Sequence, residues 1–243
     1  MDNTLKIEHL RKVYGKREVV KDISFSMQGG QIIGLLGPNG AGKTTTFYMI
    51  VGFIGNNGGK ISVNGIDITG LPMYRRARMG ISYLPQEPSI FRKLSVEDNI
   101  RLVAETRGDI DRRREDEIVK GLLRSFGLTH LARQKGYTLS GGERRRTEIA
   151  RCLATSPKFL LLDEPFAGID PKAVFEIKQI IRSLARLGIG ILLTDHNVRD
   201  ALSITTASHI ISDGRILVSG TKKDLLANEV ARDIYFGDSF EEQ

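Results

Sequence analysis

Gly37-Pro38-Asn39-Gly40-Ala41-Gly42-Lys43-Thr44 is the stretch that decides how this chain is read. It fits the phosphate-binding pattern G-x-x-x-x-G-K-[ST] without a gap. In front of it, Gln31-Ile32-Ile33-Gly34-Leu35-Leu36 is a short apolar run, expected to be a buried strand. Behind it, residues 44 to 51 read as a helix. A strand, a Gly-rich turn and a helix form the context that the pattern needs. Glycines let the backbone curl so that successive N–H groups face an anion. The following helix adds its positive dipole end and its unpaired donors. Lys43 can reach the β- and γ-phosphates of a nucleotide, and the Thr44 hydroxyl can ligate Mg²⁺.

The whole chain sets bounds on what surrounds this turn. Its 243 residues suffice for one large domain or a domain with an attached lobe, and the 40% of apolar residues fill a sizeable core. No apolar run approaches the ~20 residues of a bilayer span. The first residues, Met1-Asp2-Asn3-Thr4-Leu5-Lys6, show no secretory signal. The one cysteine, Cys152, allows no internal disulfide and suits the cytosol as a small apolar residue on a packed helix. A net charge of +7 calls for an anionic neighbour, whether nucleotide, membrane surface or nucleic acid. Basic clusters occur at residues 75–78, 112–114 and 144–146. The second, followed by Glu115-Asp116-Glu117, reads as a solvated face. There is no RNA-type aromatic signature and no zinc spacing, so no nucleic-acid partner is expected.

Taken in order, residues 4 to 36 are β-rich, with alternation in Leu5-Lys6-Ile7-Glu8 and again in Ile23-Ser24-Phe25-Ser26-Met27. Tyr14 lies between these runs, either an ordinary loop tyrosine or a ring for stacking. Residues 59 to 70 read as a hairpin turning at Asn64-Gly65. Residues 80 to 84 read as a core strand with Gln86 at its end. That is where open α/β sheets bind ligands, and a glutamine there either holds Mg²⁺ or water or lies on the surface. Residues 95 to 136 carry apolar positions at helical spacing and read as a helical lobe inserted into an α/β core. Ser140-Gly141-Gly142-Glu143 opens the next helix as a capping box, either a plain cap or a second, outward-facing anion site.

Phe159-Leu160-Leu161-Leu162-Asp163-Glu164 is a buried strand ending in two carboxylates. Asp163 can hold magnesium through water, and Glu164 can orient and polarise an attacking water. Asp170-Pro171 caps and starts a further helix. Residues 189 to 193 form another core strand, and His196 just beyond it is placed to touch a γ-phosphate. From Ile210 the pattern returns to short strands turning at Asp213-Gly214. The remainder, about 221–243, reads as short helices carrying Tyr235, Phe236 and Phe240.

As an ordered set these residues resemble the ATP-binding cassette (ABC) ATPases, over essentially the whole chain. Gly37–Thr44 matches Walker A, Gln86 the Q-loop, and Leu139–Glu143 the signature. Leu160–Glu164 matches Walker B, Gly168–Asp170 the D-loop, and His196 the switch histidine. Two departures are small: Glu143 stands where glutamine is common, and Ala167-Gly168-Ile169-Asp170 replaces the usual Ser-Ala-Leu-Asp. The resemblance implies an α/β P-loop NTPase with a RecA-like core, an antiparallel β subdomain, and an inserted helical subdomain at about 95–138. It implies ATP and Mg²⁺, with Tyr14, Gly37 to Thr45 and Gln86 on the nucleotide. Thr44, Gln86 and Asp163 fall at the metal, and Glu164 and His196 at the chemistry. It also implies a head-to-tail homodimer, in which Ser140, Gly141, Gly142 and Glu143 of one protomer cap the ATP of the other.

Within that family, Tyr83 to Ser95, residues 163–171 and 194–198, and the ending Ile234-Tyr235-Phe236-Gly237-Asp238-Ser239-Phe240 resemble the cassettes that power lipopolysaccharide export in Gram-negative bacteria. By position, Phe91 and Arg92 then line a groove that receives the coupling helices of two membrane subunits. The expectation is a cytoplasmic ATPase lying on the inner-membrane surface, whose positive charge suits an anionic leaflet. The alternatives are the cassette of a branched-chain amino acid importer and an ATP-gated clamp without transport. The presence of Glu164 and His196 argues against a clamp unable to hydrolyse.

Overall fold

A computed structural model describes residues 3–232. The aromatic ending anticipated from the sequence therefore lies outside the described residues. Two long strands, β1 (Thr4–Tyr14) and β2 (Arg17–Gln28), form an antiparallel hairpin. Then come β3 (Ile32–Leu36) and α1 (Lys43–Val51), the strand and helix on either side of the Gly-rich turn. β4 (Gly58–Val63) and β5 (Ile66–Asp67) make the expected hairpin, with Asn64 and Gly65 both in the left-handed region that such a turn requires. The chain continues through α2 (Met73–Arg78) and β6 (Ile81–Leu84) into α3 (Val96–Ala104) and α4 (Arg112–Ser125). After α5 (Gly141–Leu153) follow β7 (Phe159–Asp163), α6 (Pro171–Arg186), β8 (Gly190–Thr194) and α7 (Val198–Leu202). β9 (Ala207–Ser212), β10 (Arg215–Gly220), α8 (Lys222–Ala227) and α9 (Glu229–Ala231) complete the described chain.

The strands form one sheet in the order β5-β4-β1-β2-β10-β9-β3-β8-β7-β6. One half, from β9 to β6, pairs in parallel; in the other the pairs are antiparallel except β2 with β10, which is parallel. The three central parallel strands, β3, β7 and β8, are buried along their full length, as strands covered on both faces must be. Their alternation assigns residues to two cores. Ile33, Leu35, Leu161 and Leu192 point to the side filled by α1 and the antiparallel strands. Leu36, Leu160, Leu162, Ile191 and Leu193 point to the side filled by α3 to α6. Each such side chain contributes about 1.5–3 kcal/mol by leaving water. The parallel strands all end toward one edge, and there lie the Gly-rich turn, Gln86, Asp163 and Thr194.

The basic cluster at residues 75–78 is not one solvated face. Arg75 and Arg78 are exposed, but Arg76 is only 2% exposed. Its guanidinium donates to the carbonyls of Met49 and Ile50 at the end of α1, and to those of Leu71 and Thr69. α2 is thereby fastened to α1 through a buried cation whose charge is spread over four acceptors. Replacing Arg76 by Met should strand those carbonyls and lower the unfolding free energy by about 3 kcal/mol or more. Arg75→Met should stay within about 0.5 kcal/mol. Urea unfolding midpoints of the two variants decide the matter, and equal midpoints would refute the role given to Arg76.

Candidate nucleotide site

The Gly-rich turn is built so that side chains cannot replace its glycines. Gly37, Gly40 and Gly42 have φ of 153°, 77° and 106°. A Cβ on Gly37 would sit 2.0 Å from the Ile211 carbonyl oxygen, and one on Gly42 3.0 Å from that of Val19. Around Gly40 nothing lies within 4 Å, so the turn is open on that side. It is closed elsewhere by Gly214 N–H donating to Ala41 and by Ala41 N–H donating to Pro38. Thr46 secures the start of α1, its N–H and hydroxyl both donating to the Gly42 carbonyl. Pro38, Asn39 and Gly40 are exposed at the tip, while Thr44 and Thr45 are half-buried in the first turn of α1.

Lys43 is buried, with Nζ donating to the carbonyls of Gly37 and Pro38 at 2.7 and 2.9 Å. Burial lowers its pKa, and the negative charges of Glu164 and Asp163 oppose that shift. The cation is thus held by the very turn it serves, facing the two acids at the end of β7.

Those acids have different surroundings. Asp163 is 2% exposed, and its oxygens accept from the Thr194 hydroxyl at 2.6 Å and the Tyr83 hydroxyl at 3.2 Å. Burial, then the Asp163 charge, raises the Tyr83 pKa, so its phenol stays a donor. Glu164 has φ of 47°, a conformation that costs a non-glycine residue about 1–3 kcal/mol. It is held there by its N–H, which donates to both the carbonyl and the hydroxyl of Thr194. Its carboxylate meets His196 Nε2 at 2.5 Å, with the imidazole half exposed and the carboxylate buried. Asp195 accepts from the N–H groups of Phe166 and Asn197, and burial raises its pKa.

The hydroxyl of Thr44, the amide oxygen of Gln86 and the carboxylate of Asp163 are hard oxygen donors, the set that suits Mg²⁺. Asp163 is already aimed by Thr194 and Tyr83, and the open glycine turn leaves room for phosphate oxygens, so the residues fit the ion. Among the described residues no three His, Cys, Asp or Glu side chains converge as a self-sufficient metal cage.

Other expected residues lie further out. Gln86 is exposed just past β6. Tyr14 ends β1 opposite Arg17, its ring 48% exposed with Lys12 Nζ 5.1 Å from the centroid. The same hairpin reaches the phosphate turn through Val19, whose carbonyl closes on Gly42. Ser140 caps α5 as anticipated: Glu143 accepts from both its N–H and its hydroxyl at 2.8 Å. This end of α5 neighbours Gly168 and Ile169, and Ser140 faces solvent. Phe91 is 48% exposed, its backbone gripped on both sides by the fully buried Asn99 amide and its ring 5.2 Å from the Arg151 guanidinium. Arg92 is exposed beside it and, with Pro88, Tyr137 and Arg144, lines a groove of about 260 Å³.

Three contributors were not singled out from the sequence. Thr194 and Tyr83 orient Asp163; the signal for Thr194 was its strand-end position, since β7 and β8 pair Asp163 with Thr194. Arg145 stands in a run of three arginines. Yet it shares a face with Gly142, Ile149 and Cys152, at helical spacing among buried residues. It donates to the carbonyls of Pro85, Asp163, Glu164 and Pro165 and pairs with Glu148.

Fold and site together define a P-loop cassette, and the chain belongs to the ABC transporter family, whose model matches residues 20–167. It is similar to the lipopolysaccharide export system ATP-binding protein LptB of Escherichia coli (strain K12), with 49% identity over 237 residues covering 98% of each chain. With LptB of Acidithiobacillus ferridurans the identity is 50% over 243 residues, 99% of this chain and 100% of that one. Among solved structures, the ADP conformation of MJ1267, an ATP-binding cassette of an ABC transporter, matches with a TM-score of 0.86. Its identity is 27%, and the match covers 97% of this chain and 99% of that one.

Thr194→Val keeps the shape of β8 but removes the hydroxyl that aims Asp163. Losing a hydrogen bond to a buried carboxylate should lower ATP turnover at least about tenfold. Affinity for ADP without Mg²⁺ should change less than about threefold. Steady-state turnover and ADP titration measure both, and unchanged turnover would remove Thr194 from the site.

Proposed function

We propose that this protein is the ATP-hydrolysing subunit of an ABC transporter that powers extraction of lipopolysaccharide from the inner membrane and its export toward the outer membrane. The observation carrying this is the near full-length similarity to LptB in a chain that keeps every group of the nucleotide site. In this reading the Gly37 to Thr45 turn cradles the phosphates, Lys43 leaves its carbonyl partners for the β- and γ-oxygens, and Tyr14 stacks on the base. Thr44, Gln86 and, through water, Asp163 would hold Mg²⁺, which would neutralise charge on the phosphates. Glu164 orients and polarises the attacking water, and His196, whose Nε2 lies 2.5 Å from its carboxylate, reaches the γ-phosphate.

Two copies pack head to tail. The exposed Ser140, with Gly141, Gly142 and Glu143, then covers the ATP held by the partner protomer. This gives an outward-facing helix terminus something to bind. ATP binding draws the protomers together and hydrolysis releases them, a shift set by differential affinity.

Among the described residues no helix is long and apolar enough to cross a membrane. In this reading force passes to separate membrane subunits, of the LptF and LptG type. Phe91 and Arg92 are the proposed seat of their coupling helices: an aromatic ring and a cation held out at a groove by a backbone that Asn99 keeps fixed. Such a subunit works on the cytoplasmic face of the inner membrane, where its positive charge faces anionic lipid.

Glu164→Gln should retain ATP binding, accumulate as an ATP-bound dimer and lose turnover by at least about a hundredfold. Size exclusion with ATP and a phosphate-release assay read both. A variant with wild-type turnover would dismiss Glu164 as the water-activating group. Phe91→Ala should fold normally yet fail to co-purify with the membrane subunits from detergent extracts. Recovery of an intact complex would refute the groove assignment.

A further inference from the structure

A second cavity lies at the opposite edge of the sheet. It measures about 790 Å³ and is bounded by the end of α2, the segment after α3, and the loop between α5 and β7. Gly80 and Lys158 in its wall directly precede β6 and β7, whose far ends carry Gln86 and Asp163. These strands are four and five residues long, so at about 3.3 Å per residue the cavity is about 13–17 Å from the nucleotide edge. A nucleotide on the phosphate loop cannot fill it.

Its lining is cationic and ordered. Arg107 ties two walls together, its guanidinium donating to Asp109 and to the Ser156 hydroxyl. Asp109 is the carboxylate of the described lining, and it is engaged with Arg107. Arg78 and Lys158 have no carboxylate partner among the described residues. Arg78 is held instead against the Tyr74 ring, 5.8 Å from its centroid. The stem of Lys158 lies over Gly80, where a Cβ would come 2.8 Å from Lys158 Cγ. Both N–H groups at the start of β7, Lys158 and Phe159, donate to the Gly80 carbonyl, which fixes the base of that stem. Two positioned cations without counter-charges, beside an aromatic ring, are what a phosphate group with an organic body requires. The volume suits such a body, since a bare phosphate would leave most of it empty.

We propose that this cavity binds a phosphate-bearing ligand, with its phosphate between Arg78 and Lys158 and its body along Tyr74. The phosphate can belong to an anionic lipid headgroup or to a free phosphorylated metabolite. Binding is measured by calorimetry on the full chain with the phosphate loop saturated by ADP and Mg²⁺, using dioctanoyl phosphatidylglycerol and glycerol 3-phosphate as probes. Dioctanoylglycerol, which carries no phosphate, serves as the neutral control. The double variant Arg78→Gln/Lys158→Gln should weaken probe binding roughly 10- to 30-fold, the effect of two cations near a phosphate. Arg112→Gln/Arg113→Gln, which removes equal charge from an exposed face elsewhere, should weaken it less than about twofold. Loss confined to the lipid probe assigns the site to a headgroup, and loss with glycerol 3-phosphate assigns it to a free metabolite. The proposal is overturned if neither probe binds the ADP-loaded protein, if the neutral lipid binds as well, or if both double variants weaken binding equally.

Discussion

One buried guanidinium holds the working parts of this molecule in register. Arg145 enters from the second turn of α5 and reaches main-chain carbonyls in two separate segments, Pro85 before Gln86 and Asp163 to Pro165 at the end of β7. A cation taken out of water is costly unless its donors are used, and here several carbonyls and Glu148 use them. Burial lowers the Arg145 pKa and the Glu148 charge opposes it, the signature of a cation kept inside by its partner. Glu148 in turn accepts from the N–H groups of Ser89 and Ile90, the residues that lead into Phe91. The helix opened by Ser140, the strand ending in Asp163 and the segment carrying Phe91 therefore share one polar network. A displacement of α5 cannot leave the other two unaffected without breaking charged hydrogen bonds inside the protein.

The same economy of position separates the two neighbouring acids. Consecutive residues of a strand point to opposite faces, so Asp163 and Glu164 could not both serve one site on a regular strand. The left-handed turn at Glu164 breaks that alternation, and Thr194 on the adjacent strand holds both partners of the break. The strain stays local because β7 and β8 are paired through Asp163 and Thr194. Asp163 is left clamped from two sides, whereas Glu164 meets the half-exposed His196, so two adjacent acids have one fixed and one more open surrounding.

Much of this was legible in the sequence because local chemistry dictated it. The glycine turn, the apolar runs of the parallel strands, the Asn64-Gly65 hairpin and the caps at Ser140 and Asp170 all appear where short-range rules put them. What stayed hidden was set by tertiary contact. α2, six residues behind a proline N-cap, has little periodicity of its own and owes its place to Arg76 beneath it. Arg76 and Arg145 each stood in a run of basic residues, and a run conceals which member points inward. For Arg145 the apolar face of α5 held the clue; for Arg76 the acceptors come from α1 and from the turn before α2, which no local pattern reports. Tyr83 reads in the sequence as one more residue of a core strand, and only the pairing of β6 with β7 brings its hydroxyl within reach of Asp163.

Glu143 gives the outward-facing half of the proposed site a definite energetic character. Its carboxylate accepts from the N–H and hydroxyl of Ser140, and these bonds hold its pKa below the usual carboxylate range, so it is ionised. A negative charge at a helix N-terminus steadies the helix, but it occupies the same donors that a phosphate would seek. In the proposed dimer a partner's γ-phosphate arriving at Ser140 would meet like charge and would have to take over donors already in use. In the proposed dimer, where the amide of a glutamine would be neutral, Glu143 would oppose closure until the incoming phosphate offered more than the cap provides. Pairing in that arrangement would favour a triphosphate with its metal over a diphosphate, which lacks the group that would reach across.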